Sequence, residues 1–292
     1  MPDKIDEKVR FAVIGGSGLY RMKDIREVRE VPIETPFGEP SDAVVTGTIA
    51  GARCAFLPRH GRGHRIMPSE INSRANIWAL KSLGVERILA MGAVGSLREE
   101  LKPRDFVLPE QLVDETKGRR STFFGEGVVA HVAFARPFCD ATSDLLHETA
   151  RGLGIASHRG GTYACMEGPA FSTKAESHMH RRMGYSVIGM TAIGESKLAR
   201  EAEICYSAVA MVTDYDCWKE DDEVSTEKVV EHLAANVANA QRLIEAVLPK
   251  LAGAPRSCAC ASALRGAIFT QPDAMDKKTA AKLDLLIGKY VR

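Results

Sequence analysis

The sequence predicts an α/β fold: a single domain whose central mixed, largely parallel sheet is flanked by helices, followed by a C-terminal helical extension. Three observations lead there. Short apolar runs alternate with helix-period segments along most of the chain. Residues 50–96 read as strand, helix, strand, the unit that joins neighbouring strands of a parallel or mixed sheet. Polar, glycine-bearing loops follow the strands, where open α/β sheets bind ligands.

The elements follow in order. Residues 9–14 form an apolar strand that GGSGLY ends, and a second strand over 42–50 leads into CAFLPRH. In INSRANIWALKSLG, Ile71, Ala75 and Trp78 share one helical face and Gly84 follows the last turn. VERILAM is a short buried strand and GAVGS reads as the turn after it. DFVLPEQLVDE is strand-like, 141–153 is a helix closed by Gly154, and GGTYACMEGP is a strand ending in a glycine–proline turn. Residues 172–183 are helical, with His178 and His180 on an exposed face; YSVIGMT is strand, 195–203 helix and YSAVAMVTDYD strand. A long amphipathic helix covers 229–251, LAGAPRSCACAS breaks it, and a last helix over 273–290 carries Leu283, Leu286 and Tyr290 on one side. The domain is therefore set at 1–251, with the extension at 252–292 packing on it.

Composition narrows the function. Thirty-nine Lys plus Arg against 38 Asp plus Glu leave a net charge of +1, which removes the basic excess that phosphate-backbone contacts need and argues against a nucleic-acid partner. No apolar run approaches the ~20 residues that span a bilayer, and MPDKIDEKVR has no apolar signal core. A content of 45% apolar and 26% charged residues is that of a globular chain. Seven scattered cysteines read as reduced thiols of a cytoplasmic protein. These features predict an enzyme acting on something small.

Three loops carry chemistry. GGSGL is neither a P-loop nor a full dinucleotide fingerprint; it is a tight turn, or an anion nest completed by Ser17. In the seven residues from Arg59 to Arg65, five can be cationic, which is either a solvated loop or a seat for an anion; a zinc site on His60 and His64 lacks helical geometry and further ligands. At the end of the last strand, Asp214 and Asp216 are two apart and so face one side, with Tyr215 opposite. Two close carboxylates do not both ionise easily, so one pKa should rise, as a general acid at neutral pH requires. Hydrogen-bond or capping roles remain the alternative. GAVGS and MEGPAFST are weak signals singly.

GGSGL, TPFGEPSD, RHG-x-GH, NSRANIWALKSLG, GAVGSLREEL, MEGPAFSTKAES and TDYDCW, in this order, resemble the methylthioadenosine phosphorylases of the trimeric purine nucleoside phosphorylase family, over residues 11–251. The resemblance implies a purine nucleoside phosphorylase-like fold. It also implies phosphorolysis of 5′-methylthioadenosine with inorganic phosphate to adenine and 5-methylthioribose 1-phosphate, with no cofactor beyond phosphate as co-substrate. By the same resemblance Ser17, Arg59, His60, Ala93 and Thr191 bind phosphate, Met190 meets the ribose, and Phe171 and Ser172 lie along the base. Asp214 and Asp216 are the catalytic pair: one carboxyl accepts from the 6-amino group and donates to N7, and the other keeps it protonated. His131 reaches in from a neighbouring subunit of a homotrimer or dimer of trimers, and Val229 and Val230 wall the methylthio group with the C-terminal segment. Alternatives are a broader purine nucleoside phosphorylase taking adenosine, inosine or methylthioinosine, and a non-catalytic nucleoside-binding protein. Gly92 stands where the family often has Thr, so one phosphate hydroxyl is missing. Cys258 and Cys260 are either two ordinary thiols or a strained, readily reduced C-x-C disulfide.

Overall fold

Strand β5 (Arg87–Ser96) is the axis around which the sheet is built. The computed structural model describes residues 8–16, 18–19, 24–219 and 226–291, without the side chains of 226–229. Within these, β1 (Phe11–Gly15), β2 (Arg26–Val31), β3 (Val44–Ile49) and β4 (Ala52–Pro58) lie on one side of β5 in the order β2-β3-β4-β1-β5. On the other side, β11 (Cys205–Asp214) runs parallel to β5 and pairs with β6 (Phe106–Leu108), which pairs with β8 (Ser157–Arg159). Beyond the end of β5, β10 (Val187–Gly189), β9 (Thr162–Met166) and β7 (Gln111–Glu115) complete an 11-stranded mixed sheet. The pairs β1–β4, β1–β5, β5–β11, β6–β8, β7–β9 and β9–β10 are parallel.

Strand alternation sorts side chains between two helical layers. Ala12, Ile14, Ile88, Ala90, Tyr206 and Ala208 point to the face covered by α1 (Ser73–Ser82) and α4 (Ala192–Glu201). Phe11, Val13, Leu89, Met91, Val209 and Met211 point to the face covered by α2 (Asp140–Gly152) and α5 (Thr226–Gly253). Helix α3 (Lys174–Arg182) begins with a capping box between Thr173 and Glu176.

Several elements depart from the sequence-based expectation. GAVGS is not a turn: it continues β5, because Met91–Gly95 pair with β11 and then with β10, and that pairing outweighs the glycines' weak strand preference. DFVLPEQLVDE is two strands, since Pro109 between β6 and β7 has no N–H for a ladder. The last helix is also two, α6 (Lys277–Lys282) and α7 (Asp284–Val291), divided where Leu283 turns fully into the core. The exposed edge strand β2, REVREV, and the three-residue β8 carry no apolar signature to read. His180 is buried rather than on the surface, its Nε2 2.7 Å from Glu115 Oε2.

The C-terminal segment joins the main core. Leu264, Met275, Leu283, Leu286 and Ile287 pack with the α1/α4 layer. Glu203, 2% exposed, accepts from the Leu264 N–H at 3.1 Å and the Tyr290 hydroxyl at 2.5 Å, and pairs with Lys289 at 2.5 Å.

Among the described glycines, Gly189 is the most closely approached: a Cβ there would lie 2.0 Å from Tyr163 Oη. Gly189→Ala is expected to displace Tyr163 and cost about 1–3 kcal/mol, the usual penalty of overpacking. Urea denaturation should show a lower midpoint with an unchanged m-value.

Candidate active site

The sheet opens at one place. Strand β1 leaves β5 after Ile14 pairs with Ala90, and β10 joins β5 only at Gly95, paired with Ile188. Between those points, residues 91–94 have no strand on that edge among the described residues, and Ala93 is exposed within a largely buried strand. Backbone groups on such a split edge, here between parallel β1 and antiparallel β10, are available to a ligand.

Arg59, at the end of β4 and 3% exposed, stands beside this gap. Its Nε donates to Glu195 Oε1 at 2.7 Å and Nη2 to Glu195 Oε2 at 3.2 Å; Nη2 also reaches the Ile14 carbonyl at 3.3 Å and Nη1 the Met91 carbonyl at 2.6 Å. Four of the guanidinium's five N–H groups are thus spent on the protein, leaving one on Nη1. That nitrogen and Thr191 Oγ1 converge on Gly92, where a Cβ would sit 3.5 Å from the first and 3.8 Å from the second. Thr191 is the N-cap residue of α4 and its hydroxyl makes no capping bond. The helix N-terminus therefore adds a positive dipole end to the same niche.

The loop after Arg59 carries less positive charge than its composition implies. His60 donates from Nδ1 to the Ile66 carbonyl at 2.9 Å and stacks on His64 at 4.3 Å. Burial, then the neighbouring Arg59 and His64 charges, push its pKa down to about 4, so the ring is neutral at pH 7. Arg62 pairs with Glu30 at 2.9 Å. What faces the gap is an array of directed donors more than a cloud of charge.

Three residues further along β5 lies a group of opposite character. A Cβ on Gly95 would sit 3.1 Å from Asp214 Oδ1 and 3.3 Å from Asp216 Cβ, so both aspartates pack over this glycine. They arrive there differently from the strand alternation expected. β11 ends at Asp214 after an irregularity between Val212 and Asp214, and Asp216 sits in a turn with φ +52°. Asp214 Oδ1 accepts from the Asp216 backbone N–H at 2.8 Å and Oδ2 from the Thr213 hydroxyl at 2.7 Å. The Asp214 pKa is raised, chiefly by burial and further by the Asp216 charge. Thus Asp216 holds Asp214 through its backbone, not by a carboxyl-to-carboxyl bond. Asp216 Oδ2 is itself buried with no hydrogen-bond partner among the described residues, an expensive state that a ligand donor relieves.

Two residues that sequence reasoning missed hold this end in place. His232 Nδ1 donates to the Thr213 carbonyl at 2.6 Å, and Asn236 Nδ2 donates to the Val212 carbonyl at 2.8 Å. They are i and i+4 on α5, a polar pair on the helix face turned to the sheet, and that spacing was the available signal. Glu195 and its donor Tyr206, at 2.8 Å, were likewise not singled out.

The remaining expected residues scatter around this core. The Ser172 carbonyl accepts from the Cys217 thiol at 3.1 Å, next to Asp216. Met190 packs so closely over Gly168 that a Cβ there would lie 2.5 Å from its sulfur, and Arg119 Nη1 donates to the Met190 carbonyl. Phe171 and Val230 are solvent-exposed. His131 is exposed, with its ring edge-on to Phe269 at 5.0 Å. Ser17 and the side chain of Val229 lie outside the described residues.

Residues 10–249 match the sequence profile of the phosphorylase superfamily. A relative from Gloeobacter violaceus, S-methyl-5′-thioadenosine phosphorylase, is 54% identical over 97% of this chain and 96% of its own length. The crystal structure of a methylthioadenosine phosphorylase from an Antarctic soil metagenomic library superimposes with a TM-score of 0.92 at 47% identity, covering 96% of this chain and 99% of that one. Methylthioadenosine phosphorylase from Schistosoma mansoni in complex with adenine gives a TM-score of 0.82 at 35% identity, covering 96% and 98%.

Glu195→Ala leaves the Arg59 charge buried and unpaired, since their side chains are 1% and 4% exposed. It is expected to cost about 3–5 kcal/mol in a denaturation experiment, and Arg59→Met in the same chain should restore a substantial part. His60 titrates in the opposite sense to an ion-paired histidine. Its folded pKa lies below the ordinary 6.5, so its contribution is complete above 6.5 and is lost as pH falls towards about 4. The stability–pH slope over that window should flatten in His60→Asn.

Proposed function

The chain belongs to the phosphorylase superfamily, and on that premise we infer that it cleaves 5′-methylthioadenosine with inorganic phosphate, giving adenine and 5-methylthioribose 1-phosphate. The observation that carries this reading is the arrangement along β5: an anion niche at Gly92–Ala93 and a buried acid over Gly95. Three strand residues separate them by about 10 Å, the room a ribose and its glycosidic bond occupy.

In the proposed mechanism phosphate rests on the Ala93 backbone, the remaining Arg59 Nη1–H, Thr191 and Ser17. Neutral His60 accepts from a protonated phosphate oxygen. A phosphate oxygen forms a bond to C1′ as the C1′–N9 bond breaks, and the electron pair passes into the purine. Asp214, whose pKa burial raises, gives its proton to N7, and the unpartnered Asp216 Oδ2 accepts from the 6-amino group. A 6-oxo purine would present an acceptor to that oxygen, so adenine is preferred. Positioning the anion and the leaving base accounts for much of the rate enhancement. Met190 lies against the ribose, with Phe171 and Ser172 along the base. Val229, Val230 and the C-terminal segment form an apolar wall for the methylthio group. Inorganic phosphate is the co-substrate and the reaction calls on no cofactor.

The assembly we propose is a homotrimer, alone or doubled, in which the partner subunit's His131 closes the ribose 5′ end. No helix among the described residues is long and apolar enough to cross a membrane. The seven thiols favour a reducing compartment, and we place the activity in the cytoplasm.

Base release should depend on phosphate and be faster with methylthioadenosine than with adenosine, inosine or methylthioinosine. Phosphate-independent cleavage would indicate a hydrolase, and binding without turnover a nucleoside-binding protein. Asp214→Asn should lower kcat about 10²–10⁴-fold. In the parent enzyme kcat should fall as pH rises through the raised Asp214 pKa, because the proton donor is lost; that limb should vanish in Asp214→Asn. Gly92→Thr restores a hydroxyl in space that accepts a Cβ and should lower the KM for phosphate about tenfold, the worth of one hydrogen bond to an anion.

A further inference from the structure

Four of the seven cysteines meet at the opposite end of β11 from the aspartates, about 30 Å away along nine strand residues. Cys205 is the first residue of β11, Cys139 the N-cap residue of α2, and Cys258 and Cys260 come from the segment after α5. Their four sulfurs lie within 4.8 Å of one another, the Cys205 and Cys258 sulfurs at 3.2 Å. Cys139, Cys205 and Cys260 are buried, and Cys258 is half-buried.

We propose that Cys139, Cys205, Cys258 and Cys260 form a tetrathiolate site for one Zn²⁺ ion that ties the C-terminal segment to the sheet. Four sulfurs at a Zn–S distance of 2.3 Å define a tetrahedron with edges of about 3.8 Å, which the cluster matches with small adjustments. Soft thiolates in a closed four-coordinate set select zinc and leave no position for a substrate, so the site is structural. Binding releases four thiol protons and leaves a charge of −2 on the cluster. Two donors already point at the sulfurs: Arg256 Nε at Cys205 Sγ and Thr142 Oγ1 at Cys139 Sγ, each at 3.4 Å. Such outer contacts orient and stabilise metal-bound thiolates. The Cys139 N–H donates to the Tyr206 carbonyl at 2.8 Å, so α2 and β11 hold two of the ligands in register without the metal. The C-x-C segment is the part the ion would recruit.

The test is elemental analysis of the full-length protein purified without added chelator. About one zinc per chain is expected, with loss in Cys258→Ser and Cys139→Ser and retention in Cys54→Ser, whose thiol lies elsewhere in the core. Replacement by Co²⁺ in the unaltered chain should give the intense red-region absorption of tetrahedral cobalt thiolate, which reports the site even if a variant folds poorly. A strong chelator should lower the Tm of the parent but not of Cys258→Ser. A metal-free chain whose intact mass is four hydrogens short would overturn the proposal in favour of two disulfides. A metal-free chain with all four thiols open to alkylation would overturn it in favour of ordinary core cysteines.

Discussion

The buried pair of Arg59 and Glu195 is the interaction on which the site depends. One guanidinium reaches Glu195 in the first turn of α4, the Met91 carbonyl of β5 and the Ile14 carbonyl of β1, while Glu195 also accepts from Tyr206 of β11. Four strands and a helix are thereby referenced to a single planar group. Burying two charges is costly, and the expense is offset only because nearly every donor and acceptor is satisfied. The same saturation prevents Arg59 from acting as a free cation. It presents one remaining N–H in a fixed direction, which suits the orientation of an anion better than its capture from a distance.

The contrast between the two halves of the site follows from this framework. At Gly92 the protein offers donors and a helix N-terminus; at Gly95 it offers two carboxyl groups, one of them disposed to keep its proton. Balanced net charge is the sum of such local opposites. A nucleophile that arrives as an anion and a leaving group that departs needing a proton require this polarity, and a uniformly charged cleft would serve one at the expense of the other.

Periodicity made most of the fold legible, because strands such as β1 and β11 present different layers on their two faces and helices such as α1 end at recognisable caps. It failed where local preference and tertiary pairing disagree. GAVGS has the composition of a turn but is held extended by β11, and β2, REVREV, is exposed with two valines three positions apart, so no period-2 apolar face announces it. The residue types singled out from the sequence come together in two groups, Arg59 with Thr191 at Gly92 and Asp214 with Asp216 at Gly95. The supports were less legible. Glu195 and the His232–Asn236 pair act through hydrogen bonds to residues more than ten positions away, and Cys139 and Cys205, isolated in the chain, meet the C-x-C pair only after folding.

Because the donors gather at Gly92 and the aspartates pack over Gly95, both groups are seated on one strand, and the distance between their seats is a backbone repeat. A loop-borne site can be retuned by small shifts in its hinges, but β5 is paired along its length with β11 and offers no such freedom. Changing the spacing by one residue would also turn the following side chains to the other face of the sheet. New specificity in this scaffold must therefore come from exchanging side chains around a fixed ruler, while the spacing between the two groups stays constant.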